Sequence, residues 1–95
     1  MNMDGSLTRK QRLLDLNTKL GRELAKLRKA HGLKQDDVAE IMNFQRTTVS
    51  KIEHGHHMLD AVEVPDYATA LGIEPEELQE IILGIVLEYD GRQLD

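Results

Sequence analysis

Apolar residues return at three- and four-residue steps early in the chain. In "SLTRKQRLLDLNTKLGRELAKLRKAHG" the series is Leu13, Leu16, Leu20, Leu24 and Leu27, a helical period. Thr8 and Gln11 have the spacing of a capping box, and Asn17 or Thr18 offers a second N-cap, so the segment reads as one long helix or two. Gly32 ends it after a basic last turn, where the helix macrodipole favours cations. "QDDVAEIM" predicts a short helix with Val38, Ile41 and Met42 on one side and Asp36 and Asp37 in its first turn. It stops at Asn43, a residue that tolerates a left-handed backbone. "RTTVSKIEHG" predicts the next short helix, closed by Gly55. In "LDAVEVPDYATALG" the Asp60-x-x-Glu63 pair resembles a cap. Pro65 is unsuited to a helix interior, so the regular part is expected to begin there. "EPEELQEIILGIVLEYDG" opens at Pro75 with acids in its first turn and runs into dense apolar sequence. No stretch reads as a hairpin, a repeat or a low-complexity segment. The pattern predicts an all-α chain of five or more short helices with tight connections.

The middle of the chain carries a more specific arrangement. With Gln35 opening one helix, Ala39 falls where two steeply crossing helices leave room only for a small side chain. Asn43 falls at a tight turn that needs φ > 0. Val38, Met42, Phe44, Val49 and Ile52 are the apolar positions that pin the second helix to the first and to the core. Gln45, Arg46, Thr47, Ser50, Lys51 and His54 remain on the outward face of the second helix, and every one can form hydrogen bonds.

The run "LGRELAKLRKAHGLKQDDVAEIMNFQRTTVSKIEHG…ALGIEPEEL" resembles the Cro/phage-repressor class of helix–turn–helix domains, the XRE family, over residues 20–82. Two positions depart from the family pattern: Asn43 stands where glycine is usual, and Pro65 where an apolar helix former is usual. The resemblance implies a compact five-helix, lambda-repressor-like fold and binding to double-stranded DNA. It implies base contacts from Gln45, Arg46, Thr47 and Ser50, with Arg46 suited to guanine O6 and N7. Phosphate contacts are implied for Lys34, Gln35 and Lys51, and for His54, His56 and His57 at and after the end of the reading helix. Arg28 and Glu53 are implied to be an ion pair that serves architecture.

Charge refines this picture. The net charge of −5 argues against a nucleic-acid partner, but the distribution does not. Residues 1–57 carry eleven Lys and Arg against seven Asp and Glu, whereas residues 58–95 carry one Arg against ten acids. A basic binding face and an acidic far side follow, and a partner responds to the local field. Aromatics are limited to Phe44, Tyr67 and Tyr89, so the core must be aliphatic. The absence of cysteine removes disulfides and thiolate metal sites. The apolar run Ile81 to Leu87 is too short to span a bilayer and no signal peptide is visible, so a soluble cytoplasmic protein is expected. His54, His56 and His57 crowd together, but Gly55 loosens the backbone between them and no cysteine assists. They are read as closing the reading helix, with no metal and no cofactor. No nucleophile–base pair or glycine-rich phosphate loop suggests an enzyme.

The ends of the chain exceed what the central domain needs. Residues 1–17 are expected to be an arm or extra helical segment, 18–83 the helix–turn–helix domain and 84–95 a C-terminal extension. Arg9, Lys10 and Arg12 either touch phosphates or form a solvated face. In the tail, Leu78, Ile82, Ile85 and Tyr89 form one helical stripe and Leu83 and Leu87 another. Such an excess of apolar surface points to association. Ile82, Leu83, Ile85, Val86, Leu87 and Tyr89 are therefore expected at a homodimer interface, though the run also suits a core. A helix to Leu83 followed by a strand after Gly84 is the alternative form. The resulting expectation is a sequence-specific DNA-binding transcriptional regulator, a dimeric repressor. The alternatives are an antitoxin whose tail or arm binds a toxin or other regulator, and a protein-interaction module without DNA binding.

Overall fold

A computed structural model describes residues 8–94, and the side chains of 8–91. Five helices run in order: α1 (Arg9–Ala30), α2 (Gln35–Met42), α3 (Arg46–Glu53), α4 (Val64–Leu71) and α5 (Pro75–Leu94). Residues 1–7 of the expected arm lie outside the described residues.

The leucine series forms a single helix. Thr8 caps it, its hydroxyl accepting from the Gln11 backbone N–H at 3.1 Å. The Thr18 hydroxyl, the second cap candidate, instead donates to the Leu14 carbonyl at 2.8 Å within the helix, so no break occurs there. The boundary expected at residue 17 therefore falls inside α1. At the other end Gly32 takes φ 69° and releases the chain into α2.

Leu24, Val38, Val49, Tyr67, Leu71 and Leu78 are all but inaccessible to solvent and draw one central side chain or more from every helix. Ile41 is the exception to the expected apolar face of α2. It is 59% exposed, because Val38 and Ala39 take the inward positions of this two-turn helix. Two glycines allow α3 to close on α1. A Cβ on Gly21 would stand 2.6 Å from the Ile52 carbonyl oxygen and nearer still to that of Glu53. A Cβ on Gly55, which sits at φ 79°, would stand 2.8 Å from Thr18 Cα. Backbone meets backbone at both places, so the end of α3 is seated on α1 with no side chain between them.

The Asp60–Glu63 pair makes a turn ahead of α4. The Glu63 carboxylate accepts from the Asp60 backbone N–H at 2.9 Å, the helix opens at Val64, and Pro65 sits in its first turn, where it has no N–H to waste.

Helix α5 continues through Gly84 to Leu94, which overturns the strand alternative. Its C-terminal half is held by α1. The Tyr89 hydroxyl donates to Asp15 Oδ2 at 2.8 Å, and Arg12 grips the Asp90 carboxylate through contacts of 2.8 to 3.1 Å. Tyr89 is 5% exposed, so this expected interface residue is instead core between α1 and α5. Arg12 is likewise committed to Asp90. Leu83 and Leu87 are exposed, and Ile82, Ile85 and Val86 are half-buried.

Candidate nucleic-acid interface

The site is built on the α2–α3 turn. Asn43 adopts φ 57° and ψ 40°, the left-handed conformation that its short amide side chain tolerates. The chain then reverses, and the Phe44 N–H donates to the Ala39 carbonyl at 2.8 Å. Ala39 is 5% exposed at the crossing, as a small residue must be there. Val49 and Ile52 point inward and are buried, which rotates the remaining α3 positions to the surface. Gln45, Arg46, Thr47, Lys51 and His54 are exposed and Ser50 is half-buried. None of these outward side chains is a carboxylate, in a protein with seventeen acids against twelve Lys and Arg.

Beneath that face lies a buried ion pair. Arg28 Nε donates to Glu53 Oε2 at 2.6 Å and Nη2 to Oε1 at 3.2 Å, while Nη1 donates to the Leu33 carbonyl at 2.8 Å. The hydrogen bond to Glu53 raises the Arg28 pKa further above its ordinary value, outweighing burial. The pair joins α1 to the end of α3 and also fixes the loop before α2. Gln35 extends it: its side-chain amide donates to Glu53 Oε1 at 2.9 Å, and its carbonyl oxygen accepts from Arg46 Nη1 at 3.4 Å. Gln35, expected on a phosphate, therefore uses its side chain as the bridge between the buried pair and Arg46. Sequence reading missed that role, because residues 18 and 11 positions apart meet only once α2 and α3 are packed. Asp36 lies 3.9 Å from Arg46 Nε at the surface. Lys34 is exposed at the N-cap of α2, where its backbone N–H donates to Asp37 Oδ2 at 2.7 Å.

The histidines separate by role. His54 is the C-cap of α3, and its Nδ1 donates at 2.8 Å to the Ser50 carbonyl, which also accepts from the His54 backbone N–H at 3.0 Å. His57 meets the Phe44 ring edge-on, with centroids 6.5 Å apart, so the loop after α3 is tied back to the turn before it. His56 is exposed. Among the described residues no three His, Cys, Asp or Glu side chains are grouped so as to hold a metal ion. No described helix is long and apolar enough to cross a membrane.

Comparison with known proteins agrees with this geometry. The model of a helix-turn-helix domain matches residues 19–81. Among solved structures, the restriction-modification controller protein C.AhdI from Aeromonas hydrophila is 41% identical with a TM-score of 0.61. The match covers 67% of this chain and 96% of that one. The wild-type restriction-modification controller protein C.Esp1396I is 25% identical with a TM-score of 0.65, over 76% of this chain and 95% of that one. No curated protein matches. Taken with the αL turn at Asn43, the buried Arg28–Glu53 pair and the polar outer face of α3, these matches place the chain in the helix-turn-helix domain family, in its Cro/phage-repressor form.

Proposed function

We propose that the chain is a sequence-specific transcriptional regulator that lays α3 in the major groove of operator DNA as one half of a cytoplasmic homodimer, and represses by occupying the site. The observation that carries this is the outer face of α3: exposed hydrogen-bonding side chains, no carboxylate among them, on a helix whose other face is locked into the core. Gln45, Arg46, Thr47 and Ser50 are the base readers in this reading. Lys34, Lys51, His54, His56 and His57 hold phosphates, with Gln35 placing Arg46. The dimer uses the largely apolar groove of about 270 Å³ between the start of α4 and α5, lined by Ala61, Val64, Ile82, Leu83 and Val86 with Gln79 as its polar member. Exposed Leu83 and Leu87 line the outer edge of α5 beside it. A two-fold dimer presents two reading helices to paired half-sites about one helical turn apart.

The likeness to two restriction-modification controller proteins favours a controller of that kind over an antitoxin. Nothing in this reading calls for catalysis or a cofactor. Selection of sites from a random duplex pool at near-physiological salt tests it. A two-fold symmetric enriched site is the expected result. Absence of any enriched site would sink the DNA reading and turn attention to a protein partner.

A further inference from the structure

The family match begins at residue 19, yet α1 begins at Arg9, so the helix-turn-helix resemblance leaves residues 9–18 without a role. Packing gives them a place. Thr18 lies in backbone contact with Gly55, which seats this part of α1 against the loop that follows α3. Further towards the N-terminus, Lys10 and Asn17 line a groove of about 300 Å³ together with His56 and His57, beside the apolar Leu13 and Met58. That loop is itself bound to the reading unit, through the His54 cap at one end and the His57–Phe44 ring contact at the other. Lys10, His56 and His57 therefore continue the exposed Lys51 and His54 surface past the end of α3.

The charge around this groove is one-sided. No carboxylate lines it among the described residues. The other basic groove on α1, formed by Lys19, Arg22 and Lys26, also contains Glu23 and Glu88. Arg12 is neutralised by Asp90. A carboxylate-free groove that offers one lysine ammonium and two imidazole rings beside a nucleic-acid-reading face suits the phosphodiester backbone of the same duplex.

We propose that the N-terminal extension of α1 is a second phosphate-binding element, in which Lys10, with His56 and His57, grips the DNA backbone outside the half-site that α3 reads. The proposal rests on the DNA-binding reading and adds affinity and register to it, with no base preference of its own.

The test is a binding titration of the full chain on its selected duplex at several salt concentrations, with wild type, Lys10→Ala, Lys10→Arg and Lys19→Ala. Lys10→Ala is expected to flatten the slope of log K against log salt by about 0.9 per protomer, equivalent to roughly fivefold weaker binding per protomer at about 0.15 M salt. The ranking of mismatched sites should stay as in wild type, Lys10→Arg should restore the slope, and Lys19→Ala should leave it unchanged. Trimming the flanking base pairs should erase the difference between wild type and Lys10→Ala. An unchanged slope in Lys10→Ala, or an equal flattening in Lys19→Ala, overturns the clamp while leaving DNA binding intact. Salt-insensitive or absent binding by the wild type would instead bring down the DNA reading itself.

Discussion

Arg46 occupies the first position of α3, within 3.4 Å of the Gln35 carbonyl oxygen and 3.9 Å of Asp36. Both contacts are long and exposed, so they aim the guanidinium without consuming it. Arg46→Ala is expected to cost roughly 1–3 kcal/mol on the cognate site and to relax preference at one base position. Lys51→Ala should weaken all sequences about equally. A competition assay on single-base variants of the site separates the two outcomes. Loss of equal size on every sequence would remove Arg46 from the base readers. Tyr67 poses a different residue-scale question. It is fully buried, and among the described residues its hydroxyl has no hydrogen-bond partner. Burial, and then the negative charge of Glu53, raises its pKa from the ordinary 10.0. The folded state thus holds this proton more tightly than the unfolded chain does. The stability tied to it is complete below pH 10.0 and is lost as pH rises beyond that value. Tyr67→Phe should leave neutral-pH stability equal or higher by roughly 1 kcal/mol, since it deletes an unpaired buried polar group. It should also soften the alkaline fall in the urea midpoint. Tyr89, raised by burial and by its hydrogen bond to Asp15, contributes in the same direction, so Tyr67→Phe/Tyr89→Phe should soften the fall further.

The helices are held together at two points of different chemistry. Where α3 meets α1, Gly21 leaves no space for a methyl group, and the atoms it would strike are backbone carbonyls that cannot rotate away. Gly21→Ala is expected to lose about 1–3 kcal/mol through a shifted α1–α3 crossing, despite alanine's better helix propensity. A gain in thermal midpoint would contradict the close approach. The second point is the Arg28–Glu53 pair, with its two side chains only 10% and 5% exposed. Glu53→Ala leaves the guanidinium charge buried with only the Leu33 carbonyl as partner, and should destabilise by about 3–5 kcal/mol in urea unfolding. It also frees the Gln35 amide that places Arg46, so at temperatures where the variant remains folded its site preference should loosen. The leucine period, the Thr8 cap and the position of the α2–α3 turn were legible in the sequence because each rests on near neighbours. The fate of Gln35 was not, because both of its partners lie on another helix, α3.

Across the whole molecule, the basic half and the acidic half found in the sequence become an α3 face without carboxylates and an acid-rich α4–α5 side. The apolar excess of the tail divides in two. Tyr89 is used inside the fold, whereas Leu83, 57% exposed, and Leu87, 62% exposed, remain at the surface. Leu83→Asp/Leu87→Asp is therefore expected to shift sedimentation towards monomer and to weaken binding to a two-fold site far more than to a half-site. An unchanged sedimentation profile would refute that interface and leave the reading helix unaffected.

Helix existence, the turn at Asn43, the buried face of α3 and the identity of its outward side chains all follow from residue type at helical spacing. Those preferences are local, and this chain satisfies them without conflict. The register of long-range partners does not follow from spacing. Whether Thr18 breaks α1, whether Gly84 ends α5, whether Tyr89 faces a second copy or Asp15, and which groove Lys10 borders depended on how α1 and α5 lie against each other and against the loop after α3. Local spacing fixed none of them, and for Tyr89 it pointed to the surface. Burial of Tyr89, the Arg12–Asp90 grip and the backbone contact at Gly55 settled them, since such interactions exist only when distant segments have already come together.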